Sequence, residues 1–329
     1  MSQKTEKSLS IGGVDVTIAV DRDRAERLRN SFLYRSILGP GVRRVRRLRR
    51  GEGPVNGAGD AEPALQELAR PLSAEAGAIL ERIADIEWYH TIELPYGVAT
   101  PGFVDHRPQL ELYGLPQDMR GMRALDVATY DGFWAFEMER RGADVTAIDI
   151  GSWAEFDIPR ALRADAERSG VAQKITGKGF RTAHELIHSR VKRKILNVYD
   201  LSPKLVGTFD YVFLSDLLLH LRDPQRALEN VCSVVADPGT AVVAEVYNPR
   251  LEEIKDMAVT EFAAFGEYVW WRPSTATLKA MMRLAGFDTI EEVARFCLQA
   301  RAQDPIHKIV IKGVVNRRDA KGEGHAADA

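Results

Sequence analysis

The stretch from Arg123 to Ile150, RALDVATYDGFWAFEMERRGADVTAIDI, constrains this chain more than any other. It reads as strand, turn, helix and strand, with an acid closing each strand. Asp126 sits among apolar Ala124, Leu125 and Val127, and a short turn then closes on Gly132. An amphipathic helix follows from Phe133 to Arg141, and Val145-Thr146-Ala147-Ile148 ends at Asp149. Such a βαβ unit opens a ligand crevice at the carboxyl ends of its strands. The turn also reports the charge of the ligand. A pyrophosphate wants bare glycine amides with no anion beside them. Here Asp126 and Asp131 flank the loop and would repel phosphate, so they suit a ligand with a cationic end. The ammonium of S-adenosylmethionine is one such cation. Asp149, 23 residues after Asp126, stands where an acid accepts both hydroxyls of an adenosine ribose. The plainer alternative is a βαβ unit whose acids only cap turns.

At 329 residues the chain has room for one large α/β domain plus an extension. Its 45% hydrophobic and 28% charged residues match an ordinary globular protein. A net charge of −2 gives no global attraction to nucleic acid, so any such contact must be local. The only cysteines, Cys232 and Cys297, exclude a disulfide framework and a cysteine-rich metal site. No apolar run approaches the ~20 residues of a membrane span, and MSQKTEKSLS lacks an apolar signal core. The expected location is cytoplasmic.

The expected organisation has five parts. Residues 1–50 give a hairpin around Gly12-Gly13 and a basic helix ending in RRVRRLRR, with six arginines from Arg43 to Arg50. Residues 51–63 are a Gly/Pro-rich linker. Residues 64–117 form a helical cap, with a helix from about Ser73 to Ile86 and an aromatic lid or entry loop over 88–103. Residues 118–315 form a Rossmann-like doubly wound α/β sheet, and 316–329 a disordered tail. Within the sheet domain, strands are expected at Ile195–Asp200, Phe209–Leu214, Ala241–Val246 and Ile309–Val315.

The TYDGF turn, Asp149, FDYVFLSDLLLHLRDP and RLAGF together resemble the class I S-adenosylmethionine-dependent methyltransferases over about two-thirds of the chain. WYHTIEL, TPGF and YVWWRPSTATLKAMMRLAGF make it similar to the tRNA wobble-uridine methyl- and carboxymethyltransferase group. The family's Asp-x-Gly-x-Gly-x-Gly loop falls on Asp126, Ala128, Tyr130 and Gly132, so only the last glycine survives. The resemblance implies S-adenosylmethionine as cofactor, with Asp149, Ile150 and Gly151 at the ribose. It also implies Asp200 and Leu201 beside the adenine, and Ser215 beneath the sulfonium. Carboxymethylating members hold the donor carboxylate with a lysine, a tyrosine and an arginine. Those positions fall on His90, Leu219 and His307 or Lys308, a weakened clamp that implies transfer of a plain methyl group.

His220 is the candidate base near the reactive end, against a structural role stitching a loop; His90 on the proposed lid is a second candidate. Trp88, Tyr89 and Phe103 are candidate walls of the cofactor or acceptor pocket, as are Trp270 and Trp271. Arg107 and Arg272 could bind an anionic group, and Glu245 and Asn248 end a strand at the crevice edge. His184 and His188 lie four apart without a third ligand, so no metal site is expected. The leading expectation is O-methylation of a small-molecule or sugar-containing metabolite. The alternatives are methylation of a tRNA uridine and a catalytically silent binding module. Arg43–Arg50 could serve as an RNA or anionic-membrane contact, or be a solvated helix face.

Overall fold

The computed structural model describes the backbone of residues 4–11 and 14–21, and residues 73–168, 177–264, 268–300 and 305–316 in full. The expected basic helix with Arg43–Arg50, the expected linker over 51–63 and the expected tail beyond residue 316 lie outside the described residues. Strands β1 (Lys4–Ile11) and β2 (Val14–Asp21) pair antiparallel around the expected Gly12-Gly13 turn. Helix α1 (Ala74–Ile83) starts where Ser73 Oγ accepts the Ala76 N–H at 3.1 Å, and it buries Ala76, Ile79 and Ile83.

The remaining elements alternate. They are β3 (Arg123–Val127), α2 (Phe133–Arg140), β4 (Asp144–Asp149), α3 (Arg160–Arg168), α4 (Lys178–Leu186) and β5 (Lys192–Ile195). Then come α5 (Pro203–Val206), β6 (Phe209–Ser215), α6 (Pro224–Ser233) and β7 (Val235–Val246). The last are β8 (Thr260–Phe262), β9 (Trp271–Pro273), α7 (Thr275–Leu284), β10 (Thr289–Leu298) and β11 (Ile306–Val315). One seven-stranded sheet runs β10-β11-β7-β6-β3-β4-β5. Strands β5, β4, β3, β6 and β7 are parallel, and β11 lies antiparallel between β7 and β10. The chain enters at β3, winds outward to β5, then returns to β6 on the other side of β3. That reversal opens a crevice at the carboxyl ends of β3 and β6. Both faces of the central strands are covered, which is why Leu125, Val127, Val212 and Leu214 are fully buried in near-continuous apolar runs. The expected doubly wound Rossmann-like sheet is present.

Three elements differ from expectation. The strand expected at Ile195–Asp200 is instead β5 at Lys192–Ile195, followed by a 3-10 turn over Val198–Asp200. Strand β5 is the sheet edge, so its Lys192-Arg193-Lys194 sequence carries no apolar signal. Strand β10 was not anticipated. It is the opposite edge, and a register shift between Glu292 and Ala294 breaks its period of two. The segment over 88–103, expected as a lid or entry loop, is a strap folded back on itself. Its halves are tied by Thr91 N–H to the Val104 carbonyl at 2.8 Å, Val104 N–H to the Tyr89 carbonyl at 2.8 Å, and Thr100 N–H to the Ile92 carbonyl at 2.9 Å. Gly102 permits this closeness, because a Cβ there would lie 2.1 Å from the His90 carbonyl carbon.

Gly102→Ala should therefore force the strap apart and cost on the order of 2–4 kcal/mol in unfolding free energy. Denaturant unfolding followed by tryptophan fluorescence checks this; an unchanged midpoint would mean the strap is not packed as described.

Candidate active site

The crevice holds a cavity of about 240 Å³. The end of β3 contributes Asp126 and the loop after it Ala128 and Tyr130, the end of β4 gives Asp149 and Ile150, and the end of β6 gives Ser215 and Asp216. Tyr89 and His90 of the strap, Trp134 of α2 and His220 complete that rim, while residues 155–157 and 196–199 close the far side. A smaller, apolar cavity of about 170 Å³ lies across the Leu218-Leu219 turn, against Trp271 and Met281.

The loop after β3 keeps a left-handed path without the glycines that usually supply it. Ala128 has φ +61°, Tyr130 +51° and Gly132 +97°. A side chain in this region costs on the order of 1 kcal/mol, so other contacts must hold it. Asp149 does so with both oxygens: Oδ2 accepts the Tyr130 N–H at 2.9 Å and Oδ1 the Ile150 N–H at 2.8 Å. Asp126 Oδ2 accepts the Ala135 N–H at 3.1 Å and fixes the start of α2. Gly132 does not line the cavity; a Cβ there would lie 2.4 Å from the Phe136 ring and 2.8 Å from that of Phe180. Its place is in shaping the turn.

Burial governs the ionisation of these acids. It pushes Asp126 up to about 7, against hydrogen bonds and the nearby His90 that favour the anion. It pushes Asp149 up to about 6, opposed by the Arg193 charge and the two amides. Glu245 lies buried beneath the floor, where Oε1 accepts the Leu217 and Leu218 amides at 2.8 Å, and burial together with Asp216 raises its pKa. Lys308 is wholly buried; its Nζ donates to the Asp216 carboxylate and, at 3.0 Å, to the Ala244 carbonyl.

Asp131 was expected to face the ligand beside Asp126. It turns the other way, onto the strap: Oδ2 accepts the Tyr89 and His90 N–H groups at 3.0 and 2.9 Å, and Oδ1 bonds His90 Nδ1. The backbone at 89–90 supplies donors that no side-chain motif reveals. His220 places Nδ1 3.0 Å from the Tyr268 carbonyl, so Nδ1 carries the hydrogen, and burial lowers its pKa.

The structure thus brings together His90, Asp126, Ala128, Tyr130, Asp149, Ile150, Ser215 and His220 around one cavity. It does not bring Phe103, Arg107, Asp200 or Leu201 to the lining. Phe103 packs behind Tyr89, with ring centroids 6.0 Å apart. Arg107 is spent on the outside, paired with Asp105 at 2.7 Å and Glu93 at 3.1 Å. Leu201 is buried in the core, and the shift of β5 puts Leu196–Tyr199 at the cavity where Asp200 and Leu201 were expected. Arg272 pairs with Glu261 at 3.5 Å, and Asn248 bonds the same Glu261 at 2.9 Å; neither reaches the cavity. Sequence reasoning missed Asp157, Asp216 and Trp134. Asp216 had a signal, since it follows a buried strand as directly as Asp126 and Asp149 end theirs. Among the described residues no group of His, Cys, Asp and Glu could hold a metal ion.

The chain belongs to the methyltransferase-domain family, whose model matches residues 105–292, more than half of its length. Its domain is of the class I, S-adenosylmethionine-dependent kind. A ubiquinone biosynthesis O-methyltransferase of Xanthomonas euvesicatoria is 27% identical over 140 residues, covering 43% of this chain and 49% of that protein. A magnesium-protoporphyrin O-methyltransferase of Rhodobacter capsulatus is 29% identical over 110 residues, covering 33% and 38%. The chain thus spans about half the length or less of these curated relatives. The N-terminal domain of EvdMO1, crystallised in the presence of SAH and D-fucose, aligns at 17% identity with a TM-score of 0.44, covering 74% of this chain and 98% of that one.

Because Asp126 and Asp149 have folded pKa values above the ~3.9 of an unfolded aspartate, the native state holds more protons than the unfolded one between about pH 4 and 7. Their contribution to stability is full below pH 4 and is lost as pH rises to 7. Asp126→Asn should remove part of this fall. Denaturant midpoints at pH 5 and pH 8 check it; equal pH dependence in the variant and the native protein would contradict the burial account.

Proposed function

We propose that this protein transfers a methyl group from S-adenosylmethionine to a hydroxyl of a small-molecule or sugar-containing acceptor. One observation carries the reading. Five carboxylates line the cavity (Asp126, Asp149, Glu155, Asp157 and Asp216), and its described lining contains no lysine or arginine. Such a wall favours a ligand carrying both an ammonium and a sulfonium, and disfavours phosphate. Asp149 uses one lone pair of each oxygen on a backbone amide, leaving the others for the two ribose hydroxyls. Leu196 and Val198 offer an apolar edge for the adenine. The acceptor oxygen attacks the methyl carbon in line with the C–S bond, which breaks with its electron pair left on sulfur. The donor is already activated, so alignment by the walls supplies most of the catalysis. His90 and His220 both line the cavity as candidate bases.

The O-methyltransferase names of the relatives support an oxygen acceptor on a small molecule. We favour that over a tRNA uridine, because a polyanion would meet the same carboxylates. We favour plain S-adenosylmethionine over its carboxylated form: Lys308 is engaged by Asp216, and Leu219 faces the apolar cavity. The left-handed turn persisting at Ala128 and Tyr130 supports a working cofactor loop over a silent binding module. No described helix is long and apolar enough to cross a membrane. Cys232 and Cys297, which form no disulfide, fit a reducing compartment such as the cytoplasm.

Calorimetry with S-adenosylhomocysteine should show one site, weakened roughly ten- to hundredfold by Asp149→Asn through loss of charge-assisted ribose contacts worth about 1.5–3 kcal/mol. Unchanged affinity in that variant would remove Asp149 from the cofactor site. In competition, plain S-adenosylmethionine should outbind the carboxylated donor, and the reverse order would overturn the donor assignment. Tritium from labelled S-adenosylmethionine should enter a metabolite extract rather than bulk tRNA; label in tRNA alone would overturn the acceptor class.

A further inference from the structure

We propose that His90, held by Asp131, is the general base that takes the proton of the acceptor hydroxyl, and that the acceptor is therefore a neutral alcohol or phenol. This rests on the methyl-transfer reading above and deepens it. His90 is nearly fully buried yet lines the cavity, where it shares the wall with Trp134 and Ser215. Its ring is fixed on every side. It stacks on Phe133 at 5.4 Å with an interplanar angle of 20°, meets Tyr89 edge-on at 4.8 Å, and has His106 behind it at 5.3 Å.

Asp131 sets its chemistry. Both the Tyr89 and the His90 amides donate to Oδ2, so the carboxylate cannot swing away, and Oδ1 faces His90 Nδ1. An ionised carboxylate only accepts, so Nδ1 carries the hydrogen and Nε2 keeps its lone pair. As Nε2 takes the acceptor proton, the oxygen–methyl bond forms and the carbon–sulfur bond breaks with its electrons on sulfur. The cationic sulfonium becomes a neutral thioether, and the positive charge moves to an imidazolium facing Asp131. Asp131 is thus a positioning residue that also stabilises that charge.

His220 lacks this support. Its Nδ1 faces a neutral carbonyl and burial disfavours its charged form, while the one carboxylate that favours it, Asp216, is engaged by Lys308. The groups facing His90 are Asp126 in β3 and Asp131 on the loop after it, with Tyr89 and the buried, neutral His106 on its own segment. Asp131 thus stands within hydrogen-bond reach of the charge that forms on the ring. An acceptor already anionic would need no such base and would be repelled by the same acids.

The test uses the full chain, tritium-labelled S-adenosylmethionine and a metabolite extract as the acceptor pool. His90→Gln should lower label transfer on the order of 100-fold or more while S-adenosylhomocysteine affinity stays within about threefold. Added imidazole should restore part of the activity of His90→Ala, which a purely structural role would not allow. Asp131→Asn should lower transfer roughly tenfold or more through kcat, with S-adenosylhomocysteine affinity again within about threefold. In the complex with S-adenosylhomocysteine, nitrogen NMR should show His90 bare at Nε2. Transfer by His90→Gln within threefold of native, or a hydrogen on Nε2 in neutral His90, overturns the proposal alone. Absence of transfer by the native protein overturns the methyltransferase reading on which it rests.

Discussion

Buried carboxylates that accept backbone amides hold this crevice open. Asp126 takes the amide of Ala135, Asp149 those of Tyr130 and Ile150, and Asp131 those of Tyr89 and His90. Glu245 takes those of Leu217 and Leu218, and the half-buried Asp157 that of Arg222. Each acid thereby fixes one loop at the carboxyl edge of the sheet. A buried anion without such partners would cost several kcal/mol and protonate instead. The amides keep these groups acceptors while burial keeps Asp126 and Asp149 near the point of protonation. Three of these loop-shaping acids, Asp126, Asp149 and Asp157, also line the cavity, where a cationic donor would meet them.

This explains how the loop after β3 works without two of its expected glycines. Left-handed φ at Ala128 and Tyr130 is locally unfavourable, and it survives because Asp149 grips the Tyr130 amide and Gly132 absorbs the crowding by Phe136 and Phe180. The bulky Tyr130 then becomes cavity wall, with its ring 5.9 Å from that of Tyr89.

Much of the fold was legible, because central parallel strands are buried on both faces and read as apolar runs ending in acids. Strands β3, β4 and β6 and their terminal Asp126, Asp149 and Ser215 follow directly from that pattern. The edges were not legible. Strand β5 is written in Lys192-Arg193-Lys194, and β10 is interrupted by a bulge, so neither carries a clean period of two. The error at β5 carried the expected adenine contacts to Asp200 and Leu201 instead of Leu196–Tyr199. The orientation of Asp131 was equally hidden, since its partners are backbone amides on a strap 41 and 42 residues away. Arg107 looked available by charge alone, whereas its neighbours Asp105 and Glu93 consume it.

The central claim is that buried, partly protonated carboxylates form the cofactor site. Titrating S-adenosylhomocysteine near pH 6.5 in buffers of different ionisation enthalpy tests it most directly, because the slope of heat against buffer enthalpy counts protons exchanged. The ammonium and ribose of the ligand favour the ionised acids, so binding must expel protons from Asp126 and Asp149. The account predicts one site with net proton release that disappears near pH 8.5. Binding without proton release at pH 6.5, or no binding at all, would contradict it.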